Sequence, residues 1–321
     1  MDKLECTKKA AQIHKKVREL LKDYIKPNIK LYDLCMFIEN NVRELSKKNG
    51  EQKNGGVAFP TGVSLNNIAA HWTPNLDDKT ILKSDDVCKI DFGVHVDGWI
   101  IDSAFTICLD NKYDQLLEAS KEAVYNVIKN MGVDTKISEL GAISEEIVTS
   151  YEQDVNGVMM PLKPISNLTG HSINRWTIHS GQSIFGVKNK SLDVIKPDSF
   201  YAVEIFPTTG TGVTYMEGNS THYMLKNNYP KNVNFRFKRT KNLLFDIKKR
   251  YDTLAFCPRF LNHNNRDKIN YQMAINELFN KEIVNSYPPL LDKPGSLVSQ
   301  FEHTVYIGNN SKINLSQGKD Y

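Results

Sequence analysis

The chain has 321 residues, 40% of them hydrophobic and 24% charged, enough to bury one large core or two modest ones. Peptide, linker and disordered-tail classes are excluded, and with charge close to the globular average and mean hydropathy of −0.43 a soluble globular protein is expected. No apolar run approaches the roughly 20 residues of a spanning helix, and the amino terminus MDKLECTKKAAQIHKK has no apolar block behind its basic residues, so neither membrane insertion nor secretion is expected.

The net charge of +4 is unevenly placed, with nine Lys or Arg against four Asp or Glu in residues 1–30, and a second basic stretch from Lys231 to Arg250. Either could touch RNA or a ribosome, but no nucleic-acid motif accompanies them and solvated faces are the favoured reading. The five cysteines are scattered, with no CxxC pair, which suits a reducing cytoplasm. Sequons at Asn167, Asn189, Asn219, Asn309 and Asn314 are read as unused, because no signal peptide accompanies them.

Ala10, Ile13, Val17, Leu20, Leu21 and Tyr24 repeat at helical spacing and predict an amphipathic surface helix closed by Pro27. A second helix is expected from about Leu31 to Leu45, followed by a loop over KKNGEQKNGG. From Val87 to Leu109 the sequence is rich in β-branched and aromatic residues and breaks once at Asp97-Gly98, which predicts a hairpin. Helices are expected from about Asp114 to Met131 and from Ile137 to Tyr151, with strands around Tyr201 to Phe206 and Phe301 to Ile307. Residues 227–286 are basic at first, then helix-forming through Tyr271 to Phe279, and show no strand alternation. They are read as an insertion in an α+β chain forming one catalytic domain over residues 1–321, with helices in residues 1–50.

Asp91 and Asp102 each interrupt an apolar strand, where an unpaired charge is costly. A two-residue loop at Asp97 and Gly98 pairs Gly93 with Asp102 and Asp91 with Ala104, making the two aspartates diagonal neighbours about 7 to 8 Å apart on one face. Turn hydrogen bonding and convergence on a cation both remain open for them. His171 follows a glycine that lets the backbone turn and point the ring inward, though a buried core histidine would read the same way. Glu204 shares a strand face with Ala202 and Phe206, and Glu302 shares one with Gln300 and Thr304. Taken together, these carboxylates and one histidine outline a dinuclear site for Mn, Fe, Co or Zn, with ions about 3.5 to 4 Å apart and an activated water between them. Hydrolysis is the chemistry such a site performs.

The ordered series NNIAAHWTPN, KIDFG, IIDSAF, LTGHSI, IHSGQ, YAVEIF, THYM, YPPL and QFEHT resembles the methionine aminopeptidases. The insertion carrying RTKNLL and TLAFCPRFL marks the type 2 branch. The resemblance covers nearly the whole chain and implies the pita-bread (creatinase/aminopeptidase) fold, a curved antiparallel sheet of two pseudo-symmetric halves with helices outside. It implies that Asp91 chelates one metal ion, that His171 and Glu204 hold the other, and that Asp102 and Glu302 bridge them, with Glu204 also moving a proton. His71 matches the histidine that contacts substrate and is alkylated by fumagillin-type epoxides, and His179 matches the one that contacts the scissile carbonyl. A methionine pocket is implied at Phe59, Ile178, Phe206, His222 and Tyr287. Pro207 stands where a smaller residue is the expectation, and His14, His95, His263 and His303 match no functional position.

The implied activity is removal of the initiator methionine from nascent proteins with a small second residue, by a cytoplasmic monomer. The long charged amino-terminal extension of larger type 2 enzymes is missing, so the ribosome association ascribed to that extension is not carried over by the resemblance. A non-catalytic pita-bread protein that binds RNA or protein partners is the alternative, but such relatives have lost metal ligands that this chain retains. Proline-specific peptidases of the same fold carry a large extra amino-terminal domain that roughly 50 residues cannot form.

Overall fold

The computed structural model describes residues 2–47, 54–261 and 271–321. Most of the loop expected over KKNGEQKNGG, as well as His263, lies outside them. Helix α1 (Lys3–Tyr24) starts ahead of the expected apolar set because the Asp2 carboxylate accepts the Leu4 N–H and caps the first turn. Helix α2 (Leu31–Ser46) buries Leu34, Ile38 and Val42 along one stripe. Strands β1 (Gly55–Val57), β2 (Gly62–Leu65) and β3 (Ile68–Ala70) lead into the long hairpin β4 (Cys88–Val96) and β5 (Trp99–Ile107). Asp97 and Gly98 both take positive φ, 51° and 79°, as the tight two-residue turn requires. The register that follows pairs Gly93 with Asp102 and Asp91 with Ala104, as the turn length predicts.

Helices α3 (Asp114–Asn130) and α4 (Ile137–Thr149) begin the second half, followed by β6 (Glu152–Val155), β7 (Val158–Pro161), β8 (Lys163–Pro164), β9 (Thr169–Ile173) and β10 (Ser183–Phe185). Next come β11 (Ser199–Ile205), β12 (Pro207–Thr208), β13 (Tyr215–Met216) and β14 (His222–Leu225). The inserted region supplies α5 (Lys238–Arg250), α6 (Pro258–Leu261) and α7 (Gln272–Asn280), and the chain continues through β15 (Val284–Tyr287), β16 (Leu290–Leu291), β17 (Phe301–Ile307) and β18 (Lys312–Asn314). Strand β15 departs from the expectation of a strand-free insertion, since it pairs with β14 along its whole length. Four residues with polar Asn285 and Ser286 at their centre carry too little alternation to announce a strand, and pairing with a partner 60 or so positions away in sequence defines it.

Strands β1, β2 and β5 all pair with β4, and a second sheet runs β10-β9-β11-β17-β18. The sheets meet where β5 lies along β17, and hydroxyl side chains bridge the seam. The Asp102 N–H donates to Thr304 Oγ1 at 2.8 Å, that hydroxyl donates to the Asp102 carbonyl at 2.6 Å, Ser103 Oγ donates to the Glu302 carbonyl at 2.7 Å, and Thr106 Oγ1 donates to the Gln300 carbonyl at 2.7 Å. Helices α1 to α4 pack against one face of these strands. Ile90, Phe92 and Val94 pack into an apolar cluster with α1 and α2, while Tyr201, Val203 and Ile205 pack into another with α3 and α4. Because side chains alternate along a strand, Asp91 and Glu204 emerge on the opposite face. The inserted helices are tied in by Arg259, whose guanidinium forms a buried ion pair with Glu39 of α2 and donates to the Pro74 carbonyl at 2.6 Å.

Candidate metal centre and substrate cavity

The five expected ligands, Glu204 among them, the catalytic histidines His71 and His179, and all five expected pocket residues line one cavity of about 250 Å³. His171 Nε2 lies 3.5 Å from Asp102 Oδ2 and 3.9 Å from Glu204 Oε1. Ligand atoms of Asp102, His171 and Glu302 all fall within 4.8 Å of one another. The Gln300 amide donates to Glu204 Oε2 at 3.0 Å and reaches Asp91 Oδ2 at 3.5 Å, linking the remaining two carboxylates.

The electrostatics show what this cluster lacks. Burial raises Asp91 to about 7, against the Gln300 hydrogen bond that lowers it. Glu204 is raised to about 8, by burial first and Asp91 second. Asp102 and Glu302 are pushed well above the ordinary carboxylate range, by burial and then by the neighbouring carboxylates. Among the described residues no Lys or Arg pairs with any of the four, and His171 is their only ion-pair partner. That ring is itself held neutral, its pKa driven well down by burial and by His179.

Among the described residues, Asp91 Oδ1 and both carboxylate oxygens of Glu302 are buried with no hydrogen-bond partner. Unpaired buried acceptors crowded onto one point suit a multivalent cation, and the mixture of carboxylates with one imidazole suits a divalent transition metal. The residues present therefore fit a metal centre.

His71 follows β3 in the left-handed region, φ 63°, which is costly for a residue with a Cβ and is found where function demands it. The Thr221 hydroxyl donates to its carbonyl at 3.3 Å. The His71 ring lies 5.9 Å from both His222 and Tyr287, and His179 meets the His171 ring edge-on at 4.3 Å. Burial, then the neighbouring histidine, lowers His71 to about 4 and His222 to about 3, and burial lowers His179. All three are neutral near pH 7, able to donate one hydrogen bond without adding charge. The Phe59 ring packs against Gly93, where a Cβ would overlap it.

Two of the histidines without an expected function are packing residues, His14 stacking on Phe92 at 3.9 Å and His303 on Tyr321 at 4.8 Å. Sequence reasoning passed over Gln300, Met224, Leu168 and Leu290, which touch the site or line the cavity. Only Gln300 carried a signal, its two-residue offset from Glu302 on the same strand face.

The model of metallopeptidase family M24 matches residues 5–234. Among curated relatives, methionine aminopeptidase 2A of Arabidopsis thaliana is 44% identical over 314 residues, covering 98% of this chain and 70% of its own length. The methionine aminopeptidase 2 proteins of Dictyostelium discoideum and Komagataella phaffii are 42% and 41% identical, each over 98% of this chain and 70% of their own. Among solved structures, a thermophilic Arx1 superposes with TM-score 0.85 at 18% identity, over all of this chain and 92% of its own. The Thermotoga maritima methionine aminopeptidase superposes with TM-score 0.65 at 16% identity, over 98% of this chain and 97% of its own. These last two likenesses establish the pita-bread fold alone.

Proposed function

On the premise that the chain belongs to metallopeptidase family M24, within its methionine aminopeptidase 2 group, we propose that it removes the initiator methionine from nascent proteins whose second residue is small. As a member of that family it takes divalent metal and acts on peptides that begin with methionine. The observation that carries the reading is the convergence of five ligand side chains and two neutral histidines on one apolar-walled cavity.

The centre we propose is dinuclear, with Asp91 on one ion, His171 and Glu204 on the other, and Asp102 and Glu302 shared. Two bound ions, drawn from Mn, Co, Fe or Zn, would bring the pKa of a water toward neutrality and so supply the nucleophile for the first peptide bond. Glu204, oriented by Gln300, takes the proton at its carboxylate and hands it to the departing amine. His71 and His179 donate to the carbonyl oxygen as charge develops there. Phe59, Ile178, Phe206, His222 and Tyr287 enclose the methionine side chain, and crowding beside the histidines restricts the second residue to small side chains. His71 is also the nucleophile we expect fumagillin-type epoxides to alkylate.

The whole chain acts as one catalytic domain, supported by the apolar cluster that joins α1 and β4 to α5 and α7. No helix among the described residues is long and apolar enough to cross a membrane. All five cysteines are free and buried, which supports placement in the reducing cytoplasm, where the protein acts as a monomer on chains emerging from the ribosome. The non-catalytic alternative has no observation in its favour, because the ligand set is intact. Release of free methionine from Met-Gly-Met-Met and Met-Leu-Met-Met by chelator-treated protein, before and after Mn or Co is added, tests the reading. Metal-dependent release confined to the glycine peptide is expected, and no release with either metal would overturn it.

A further inference from the structure

The cavity extends past the residues given roles so far. Ala70, next to His71, and Leu290 both line it, and they are cross-strand partners on β3 and β16. Leu290 in turn stands opposite Met216 on β13. Direct partners in antiparallel strands present their side chains on the same face, so Ala70, Leu290 and Met216 form one apolar row running from the histidine to the open edge of a three-stranded sheet.

Single exposed apolar residues are common on proteins, but this edge holds several together. Met216 is 70% exposed, Val213 51% and Tyr215 43%. Strand β13 is the edge of its sheet, and of its two residues Met216 shares the face of Leu290 while Tyr215 turns to the other. Ala70 and Leu290 line the catalytic cavity and Met216 is the next residue of the row outward, so a peptide leaving the cavity along it meets Leu290 and then Met216.

Its dimensions fit a peptide. Neighbouring strands lie about 4.8 Å apart, which puts Met216 roughly 10 Å from Ala70, the reach of about three extended residues. Resting on the aminopeptidase reading, we propose that Leu290 and Met216 form an extended subsite for apolar side chains at the third and fourth positions of the peptide whose first residue fills the methionine pocket. The protein then discriminates among substrates beyond the second residue, and nascent chains with apolar third and fourth residues are its preferred class.

The test compares Met-Ala-Leu-Leu-Ser with Met-Ala-Ser-Ser-Ser on the Mn-loaded protein. The leucine peptide should have a kcat/KM about three- to tenfold higher, expressed in KM, from partial burial of its apolar surface. Met216→Asp should bring that ratio close to one, and Met216→Leu should preserve it. A ratio near one in the unaltered protein, or one that Met216→Asp leaves unchanged, overturns the subsite while leaving the peptidase reading intact. No release from either peptide overturns the peptidase reading and the subsite with it. A diazirine-bearing leucine at the third position, used with metal-free protein, should crosslink to residues 213–216 or to Leu290, and a crosslink mapped elsewhere contradicts the proposal.

Discussion

Glu204 and Glu302 are direct cross-strand partners on β11 and β17, a largely buried and a fully buried carboxylate facing each other, and among the described residues no Lys or Arg pairs with either. Opposed like charges destabilise a sheet, and burial raises the cost. The arrangement is stable with both groups ionised only around a cation, so the strain of the metal-free fold and the affinity for metal have one origin.

The metal-free protein should therefore lose stability as pH rises. With Asp91 raised to about 7 and Glu204 to about 8, the folded state keeps protons that the unfolded chain has already released. Below about pH 6.5 the buried histidines, held neutral, act in the opposite sense, so the decline is unopposed from about pH 7 to pH 8. Thermal melts of chelator-treated protein should give a lower Tm at pH 8 than at pH 7, with recovery on adding Mn or Co. A metal-free Tm that climbs over that interval would contradict the charge assignment.

Gln300 should matter although it is not a ligand. Its amide holds Glu204 Oε2 at 3.0 Å, and loss of such an orienting partner typically costs about 10- to 100-fold in metal affinity or activity. Gln300→Leu should show that loss with the secondary structure retained, measured by metal titration and by kcat. An unaffected variant would remove Gln300 from the account.

Gly93 sets the depth of the methionine pocket. A Cβ there would overlap the Phe59 ring, so Gly93→Ala should push Phe59 into the cavity. KM for methionyl peptides should rise more than kcat falls, at an overpacking cost of about 1 to 3 kcal/mol in stability. Unchanged KM would show that Phe59 has room to move elsewhere.

Arg259 and Glu39 are both buried, and Arg259 also donates to Thr73 Oγ1 at 3.0 Å and to the Pro74 carbonyl, two and three residues past His71. Arg259→Met leaves buried Glu39 with only the longer ion pair to Arg43 at 3.5 Å and the Thr61 N–H, and should cost up to about 3 kcal/mol. The double variant with Glu39→Met should recover part of that, as denaturant unfolding would report. Equal losses in the single and double variants would argue against the pair.

How much of this was legible in sequence follows from how local each determinant is. The Asp91 and Asp102 geometry could be read from the Asp97-Gly98 turn, because a two-residue loop fixes the register of everything beyond it. Glu204 and Glu302 could each be put on a strand and a face, but their direct opposition belongs to a pairing of strands nearly 100 residues apart, which no local pattern encodes. The start of α1 close to the first residue is fixed locally, by the Asp2 carboxylate that caps its first turn. Strands of two to four residues such as β13, β15 and β16 are too short for a period, and their pairing partners define them. The roles given to His71, His179 and the pocket residues came through resemblance to a family, since an isolated histidine beside a tryptophan carries no chemistry of its own.

The central claim is that Asp91, Asp102, His171, Glu204 and Glu302 together hold two metal ions that make the cavity a peptidase. Its most direct measurement is the number of Mn or Co equivalents bound per chain, read by calorimetry alongside methionine release, for the unaltered protein, Asp102→Asn and Glu302→Gln. The account predicts two equivalents in the unaltered protein, with release appearing as they bind, and loss of both stoichiometric binding and turnover in the bridging variants with the fold retained. Full turnover in either variant, or two ions bound without Asp102 and Glu302, would contradict it.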